Sequence, residues 1–365
     1  MSQINKKPIA VLGAGYGGLA LAGELALLDH DVRLFEFAQF SEAIAPIKQA
    51  RGVEVTGQAE SKRGFARLDF ITDNMKQAVN GTGLIFLVAP AFAHDAFMKE
   101  LLPCIVPGQI VIVCTSYWAG LRYGKSVRNA GAVLAENGIF VYASRRVGPT
   151  EVFIDGEKSE LLVSAYPKED TDRVFEALRA IFPQSKKAQS VLETAFNNIN
   201  PVLHPVIAVL NIGYIEQKQT DFAFYKVGVS KKVGQVMDAI DAERLAVAKE
   251  LGVDNVFSVS DWQQRLYQSE GEGGYQVIKT NKYYNEIVWD FPFVLRYIEE
   301  DVPFGLVPLS SLGHAIGVPT PTIDAIVELG CKINGNDYWK MGLNAEKLGI
   351  AGMSADNVRK LIQTF

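Results

Sequence analysis

The stretch VLGAGYGG, residues 11–18, constrains the fold of this chain more than any other. The apolar run PIAVLGAG leads into it with strand length, and the strong helix formers of GLALAGELALLDH lead out of it. At the hand-over stand three glycines in the spacing Gly13-x-Gly15-x-x-Gly18. The next strand, within DVRLFEF, ends on Glu36, 21 residues beyond Gly15. That is close to the offset of about 20 at which an acid meets a ribose hydroxyl in dinucleotide-binding βαβ units. Gly13 permits the tight turn, Gly15 lets the backbone approach a pyrophosphate, and Gly18 allows close helix–strand packing, while the helix N-terminus holds the negative charge. A structural turn with no ligand is the bland alternative, and the full context disfavours it. The loop residues Gly13, Ala14, Gly15, Tyr16, Gly17 and Gly18, together with Glu36, are therefore the expected cofactor site. An acid at the ribose repels a 2′-phosphate, so NADH is expected to be preferred over NADPH. Arg33 tempers this, but it lies inside the strand and its side chain is expected to point elsewhere.

The first half keeps alternating. LDFIT, GLIFLVAP, QIVIVCT and GIFVYAS are further strand candidates, separated by segments such as HDAFMKELLPCI. Near-continuous apolar strands between helices indicate a parallel sheet covered on both faces. ELLVSAY, a helix over 168–182 and AQSVLET close this domain near residue 190. Helical patterns dominate beyond it, at 194–216, 231–251, 258–268, 292–300, 308–316, 320–333 and 354–363. The expected fold class is α/β: a Rossmann-type doubly wound parallel sheet over 1–190, followed by an α-helical domain over 191–365. In open parallel sheets the ligand lies across the carboxyl ends of the strands. The loops carrying Ala89, Pro90 and Ala91, and Thr115 and Ser116, are accordingly placed beside the cofactor, with Pro90 and Thr115 as the expected contacts.

Bulk composition sets outer limits. A length of 365 residues suggests about two domains. A net charge of -5 provides no basic field, so neither nucleic acid nor an anionic membrane is an expected partner. Cys104, Cys114 and Cys331 form no CxxC pair, which points to reduced thiols in the cytoplasm and to no metal site. Lys6 and Lys7 ahead of an apolar run mimic a secretory signal, but Glu24 and the glycines argue for strand, turn and helix instead. No segment reaches the ~18 uninterrupted apolar residues of a membrane span.

Four histidines are candidates for acid–base work. His30 lies in a helix–strand turn, His94 near the cofactor loops, and His314 at the end of a short helix. His204 alone stands in a polar cluster, FNNINPVLHP, behind Asn197, Asn198 and Asn200. Buried amides are costly unless bonded, so the cluster implies a polar pocket or a ligand. Asn200 and His204 are four apart and share a helix face. Pro205 removes a backbone donor beside the histidine. Further on, FVLRYIEEDVPFG places Asp301 at a helix C-terminus, with Pro303 biasing Val302 out of the helix. Three acids there, Glu299, Glu300 and Asp301, oppose the helix dipole, and an imidazolium would compensate them. From these residues alone, a packed core histidine and a catalytic one both stay open, as does a solvated acidic helix end.

NNINPVLHP, DAERLAVAKELGV and, most specifically, RYIEEDVPFGLVPLSSLGHAIGVPTPTIDAIVEL resemble the octopine/opine dehydrogenases, and the resemblance covers nearly the whole chain. It implies a Rossmann domain and a helical domain that enclose an active site between them. The implied reaction is NAD(P)H-dependent reductive condensation of an amino acid's amine with a 2-oxo acid. It assigns catalysis to His204, the partner role to Asp301 and an active-site place to Arg296, and it also implies a homodimer; the planar fork of Arg296 suits a substrate carboxylate, which Asn200 is expected to orient. The stretch 269–292 departs from the family's pattern near Glu286 and Trp289, where Trp289, Tyr283 and Tyr284 reshape the expected amine pocket. Two rivals stand beside this reading. A hydroxyacid or ketopantoate-type dehydrogenase would place a lysine on the helix opening the second domain, yet residues 191–216 contain none. A non-catalytic NAD-binding redox sensor would not require His204, Arg296 and Asp301 together.

Overall fold

The computed structural model describes residues 3–57, 63–285 and 287–365. The chain divides into two compact units, Met1–Thr194 and Ala195–Phe365.

In the first unit the chain runs β1 (Ile9–Leu12), α1 (Tyr16–Leu27), β2 (Val32–Phe35), α2 (Ser41–Ala50), β3 (Gly52–Gly57), β4 (Gly64–Arg67), β5 (Phe70–Thr72), α3 (Met75–Val79) and β6 (Leu84–Val88). It continues through α4 (His94–Leu101), β7 (Ile110–Cys114), α5 (Ala119–Asn129), β8 (Val133–Asn137), β9 (Tyr142–Gly148), β10 (Glu151–Glu157), β11 (Leu161–Tyr166), α6 (Thr171–Arg179) and β12 (Ser185–Lys187). The main sheet has the order β12-β11-β8-β7-β6-β1-β2-β5. Its strands β5 through β8 pair in parallel, and the order reverses between β1 and β6, the switch point at which doubly wound sheets bind ligands. The continuous apolar character of β1, β6 and β7 follows from burial on both faces, since every residue in them is buried.

Two features depart from the simple alternating plan. β11 runs antiparallel to β8, so the sheet is mostly and not wholly parallel. A second sheet of four strands, β4-β3-β10-β9, covers the outer side of α1. That explains why α1 is apolar but for Glu24: Gly18 through Leu25 are all buried, and a helix between two sheets needs no polar face. A Cβ on Gly23 would lie 2.6 Å from a Val55 methyl, so the glycine sets how closely the second sheet approaches. The candidate strand GIFVYAS is corrected here. Its first half is the bend between β8 and β9, and β8 itself is the VLAEN segment before it.

The second unit follows α7 (Val191–Phe196), which crosses the division between the units. It contains α8 (Asn200–Lys218), β13 (Phe222–Ala223), α9 (Lys231–Glu250), α10 (Val259–Tyr267), α11 (Gly273–Thr280), β14 (Val288–Trp289), α12 (Phe291–Asp301), α13 (Val307–Ile316), α14 (Pro321–Asn334), α15 (Tyr338–Met341) and α16 (Ala355–Ile362). β13 and β14 form a short antiparallel pair. Pro303 does not end the helical path as expected: α12 passes through a π-helical turn, Val302–Leu306, directly into α13. Such turns recur at functional sites, because the wider ring re-aims the side chains on either side of it.

A buried ion pair anchors this unit. Arg244 is 0% exposed, and its guanidinium bonds Asp241 Oδ1 at 2.6 and 2.9 Å. The same fork donates to the Phe196 and Phe257 carbonyls, while Asp241 Oδ2 accepts from Val259 N–H at 2.7 Å. Removing one partner of such a pair leaves a buried charge uncompensated. Arg244→Met is therefore expected to lower the unfolding free energy by about 3–5 kcal/mol, read from urea titration, and adding Asp241→Leu should recover most of it.

Candidate active site

The glycine loop follows β1 and opens α1. Gly13 has φ +104°, and a Cβ there would sit 2.3 Å from the Val88 carbonyl oxygen. A Cβ on Gly18 would lie 1.8 Å from the Gly13 carbonyl oxygen, so the helix can approach the loop only with glycine at that position. A Cβ on Gly15 would meet nothing within 4 Å, which leaves open space over the loop. No side chain caps α1, so its first N–H groups suit an anion. Glu36, 9% exposed, accepts from Ala14 N–H at 2.7 Å and from Phe37 N–H at 2.9 Å. Its carboxylate is thus tied directly to the glycine loop. Close packing at Gly13 and Gly18, open space at Gly15 and an acid at the loop together fit a dinucleotide. Tyr16 and Gly17 begin α1, and Gly17 lies against Val88 and Phe140.

Arg33 points away from this loop, donating to the Gln77 and Asn80 carbonyls on the far side of β2. Pro90 and Thr115 lie half-buried just past the carboxyl ends of β6 and β7. His94 holds the first of these loops through a 3.0 Å contact between Nε2 and the Ala89 carbonyl. Burial, then the nearby Arg122 charge, push its imidazole down to about 3, so it is neutral at physiological pH and unsuited to donate protons there.

In the second unit His204 stands on α8 and Asp301 at the end of α12, and the two side chains meet. His204 Nδ1 lies 3.0 Å from Asp301 Oδ2, with side-chain exposures of 12% and 1%. Local packing explains how residues 97 positions apart come together. The π turn presses on the first turn of α8, where a Cβ on Gly305 would lie 2.2 Å from the Pro201 ring. Glycine in DVPFGLVP therefore lets the end of α12 reach α8, and Pro205 is accommodated inside α8 without ending it. The buried carboxylate accepts from Nδ1–H, which fixes the tautomer and leaves Nε2 as the working nitrogen.

Two neighbours of His204 were not anticipated. Tyr225 Oη lies 2.9 Å from Nε2, and the Tyr297 ring lies against the imidazole with centroids 4.2 Å apart. Tyr297 had a signal, since it sits one turn before Asp301 on the same helix. Tyr225 had none, because it belongs to the turn after β13. Trp289 stacks on Phe293 at 4.1 Å, and Phe293 meets Tyr297 edge-on, so the departing segment does supply an aromatic wall. Tyr283 is half exposed, Tyr284 is buried, and Glu286 lies outside the described residues.

Arg296 pairs with Glu300 on its own helix at 3.4 Å, with its guanidinium over the Phe293 ring and 30% of the side chain exposed. Asn200 is the first residue of α8, half-buried, one turn before His204. The amide cluster is only partly a pocket. Asn197 is consumed by backbone, donating to the Asn255 carbonyl and accepting from Phe257 N–H, both at 2.9 Å, and Asn198 accepts from Asn200 N–H. His314 pairs with Asp324 at 3.1 Å, and His30 is half-buried.

A glycine loop that fits a dinucleotide at the switch point of a doubly wound sheet puts the chain among the NAD(P)-dependent dehydrogenases. Residues 187–334 match the family described as NAD/NADP octopine/nopaline dehydrogenase, alpha-helical domain. The opine dehydrogenase of Arthrobacter sp. (strain 1C) is 32% identical over 365 residues, covering 99% of this chain and 100% of the relative. The chain belongs to the opine dehydrogenase family, oxidoreductases that act on CH–NH bonds with a nicotinamide cofactor. Among solved structures, octopine dehydrogenase with NADH and L-arginine superposes with a TM-score of 0.75 at 19% identity, over 96% of this chain and 97% of that one. A ketopantoate reductase from Ralstonia eutropha shares the fold more distantly, with a TM-score of 0.63 at 17% identity over 90% and 98% of the two chains.

The overlap at Gly18 gives a direct check on the cofactor loop. Gly18→Ala forces the helix off the loop at a cost of about 1–3 kcal/mol. NADH should bind at least about tenfold more weakly, as read by fluorescence titration, because about 1.4 kcal/mol corresponds to a factor of ten.

Proposed function

We propose that this enzyme joins the amine of an amino acid to a 2-oxo acid of the pyruvate class, yielding a secondary-amine dicarboxylate, and catalyses the reverse oxidation. The observation that carries the reading is the 3.0 Å pairing of His204 with the buried Asp301. Octopine dehydrogenase, which shares the fold, has been solved with NADH together with L-arginine and together with pyruvate, which supports the two substrate classes.

In this division of labour residues 1–190 hold the cofactor and 191–365 the substrates. The Gly13–Gly18 loop, Glu36, Pro90 and Thr115 would hold NADH, which supplies the hydride. Protonated His204 assists addition of the amine to the carbonyl and loss of water from the carbinolamine, and Asp301 stabilises the imidazolium. Arg296 offers a planar fork to the carboxylate that every 2-oxo acid carries, with Asn200 orienting the same group. Glu300 holds the guanidinium in place until that carboxylate arrives. Three free cysteines support a cytoplasmic location, and the family resemblance supports a homodimer. No helix among the described residues is long and apolar enough to cross a membrane.

The test is an NADH-oxidation screen of amino acids against pyruvate, glyoxylate and 2-oxobutyrate. Oxo acid alone should support little turnover, and a suitable amino acid should raise it sharply, with mass spectrometry showing both substrates joined through nitrogen. The rate should climb as the substrate amine loses its proton, because the neutral amine is the form that attacks the carbonyl. His204→Ala should reduce kcat by about 10²–10⁴-fold while NADH binding stays intact. A 2-hydroxy acid formed equally fast without amine would overturn the reading.

Cofactor choice has its own check. The Glu36 carboxylate, fixed on Ala14 N–H, repels a 2′-phosphate, so NADH should outcompete NADPH. Glu36→Ala should narrow the ratio of their kcat/KM values, and tighter binding of NADPH than NADH to the unaltered enzyme would contradict the assignment.

A further inference from the structure

Both ring nitrogens of His204 are engaged. Nδ1 faces Asp301, and Nε2, the nitrogen the chemistry needs, meets Tyr225 Oη at 2.9 Å. We propose that Tyr225 is a proton-relay residue of the condensation step, passing a proton between His204 Nε2 and the substrate oxygen. The inference rests on the acid–base reading of His204 given above.

The surroundings of Tyr225 favour a fixed relay over a side chain that swings aside. Its ring stacks on Tyr284 with centroids 3.9 Å apart and planes 12° apart. Tyr284 Oη accepts from Gln263 Nε2 at 3.0 Å, and Gln263 Oε1 accepts from Asn281 Nδ2 at 2.8 Å. The turn that carries Tyr225 is held from two further sides. Phe224 N–H donates to the Ile287 carbonyl at 3.1 Å beside the β13–β14 pair, and Asn211 on α8 donates to the Gly228 carbonyl at 2.9 Å. Only 5% of Tyr225 is exposed. A ring clamped in this way stays at Nε2 whichever protonation state the imidazole adopts.

A phenol suits that position because its one oxygen both donates and accepts. Burial, followed by the proximity of Tyr284, Tyr297, Tyr267 and Asp301, holds its pKa far above the ordinary range, so it rests protonated and transfers must be concerted. During dehydration of the carbinolamine, the Tyr225 hydroxyl proton moves to the departing oxygen as the C–O bond breaks, and water leaves. The nitrogen lone pair forms the C=N bond, and the Nε2 proton of the imidazolium moves to Tyr225 Oη. Neutral His204, its Nδ1–H still on Asp301, and an iminium result. Charge balances: one positive charge passes from imidazolium to iminium.

Tyr225→Phe keeps the ring stack and removes only the relay oxygen. Several groups face or flank His204: Asp301 and Tyr297 from α12, Tyr225 from its turn, Tyr284 and Tyr267 behind Tyr225, and Arg296 and Glu300 earlier on α12. Only the phenol oxygen is changed by this variant. The expected result is a fall in kcat of about 10²-fold, the low end for a positioned proton donor, with NADH affinity and the KM for the oxo acid within about threefold. In addition, the solvent deuterium isotope effect on kcat should fall, because one of the two protons moving in the dehydration step is lost. A merely structural role would leave that isotope effect unchanged. An unchanged kcat, or a loss confined to KM, would overturn the relay. His204→Ala assayed in parallel separates the two ideas: activity retained there sinks the acid–base reading itself, whereas loss there with a fully active Tyr225→Phe sinks only the relay.

Discussion

A carboxylate at 1% exposure is costly to keep ionised unless something meets it, and in the second unit that something is His204. The rest of this region is arranged around that pairing. α12 must end where Asp301 can reach α8, and a π turn rather than a loop carries the chain onward, so no backbone polar groups are released beside the buried charge. Gly305 lets that turn lie against Pro201, which brings the two helices to hydrogen-bonding range. The aromatic residues then surround the imidazole, Tyr297 on its face and Tyr225 on its open nitrogen.

The first unit solves a different problem with the same economy of contacts. Its ligand loop has to be tight below and open above. Gly13 and Gly18 meet backbone oxygens where no side chain would fit, while Gly15 faces free space. Glu36 closes the arrangement by accepting from Ala14 N–H, so the acid just past β2 also secures the loop. The second sheet, packed on α1, supports the helix that opens from this loop.

The shared fold of the opine dehydrogenases and the ketopantoate reductases shows that the scaffold alone does not choose a chemistry. The choice lies in the side chains offered to the substrate. In this chain a carboxylate-backed histidine stands among aromatic rings near the start of α8, and the lysine of that helix, Lys218, lies at its far end.

Much of this was legible in the chain itself. Glycine spacing, strand length and the acid after β2 announce the doubly wound sheet and its dinucleotide loop, because those constraints are local and backbone-borne. Helix periodicity likewise marked α9, α10, α13 and α14 closely. The four-stranded second sheet was not legible, because its parallel pairing of β3 with β10 joins segments about a hundred residues apart. The π turn was hidden behind Pro303, whose usual effect is to end a helix and whose ring is tolerated here by the wider turn. The amides before His204 looked alike in sequence, yet only the fold decided that Asn197 would be spent on the 255–257 backbone while Asn200 stayed beside the histidine. Residue identity and spacing determined the sheet, the cofactor loop and the candidate acid and base. Tertiary packing alone decided that His204 meets Asp301 at one nitrogen and Tyr225 at the other, because contacts across 97 and 21 residues depend on how helices stack, which no local pattern encodes.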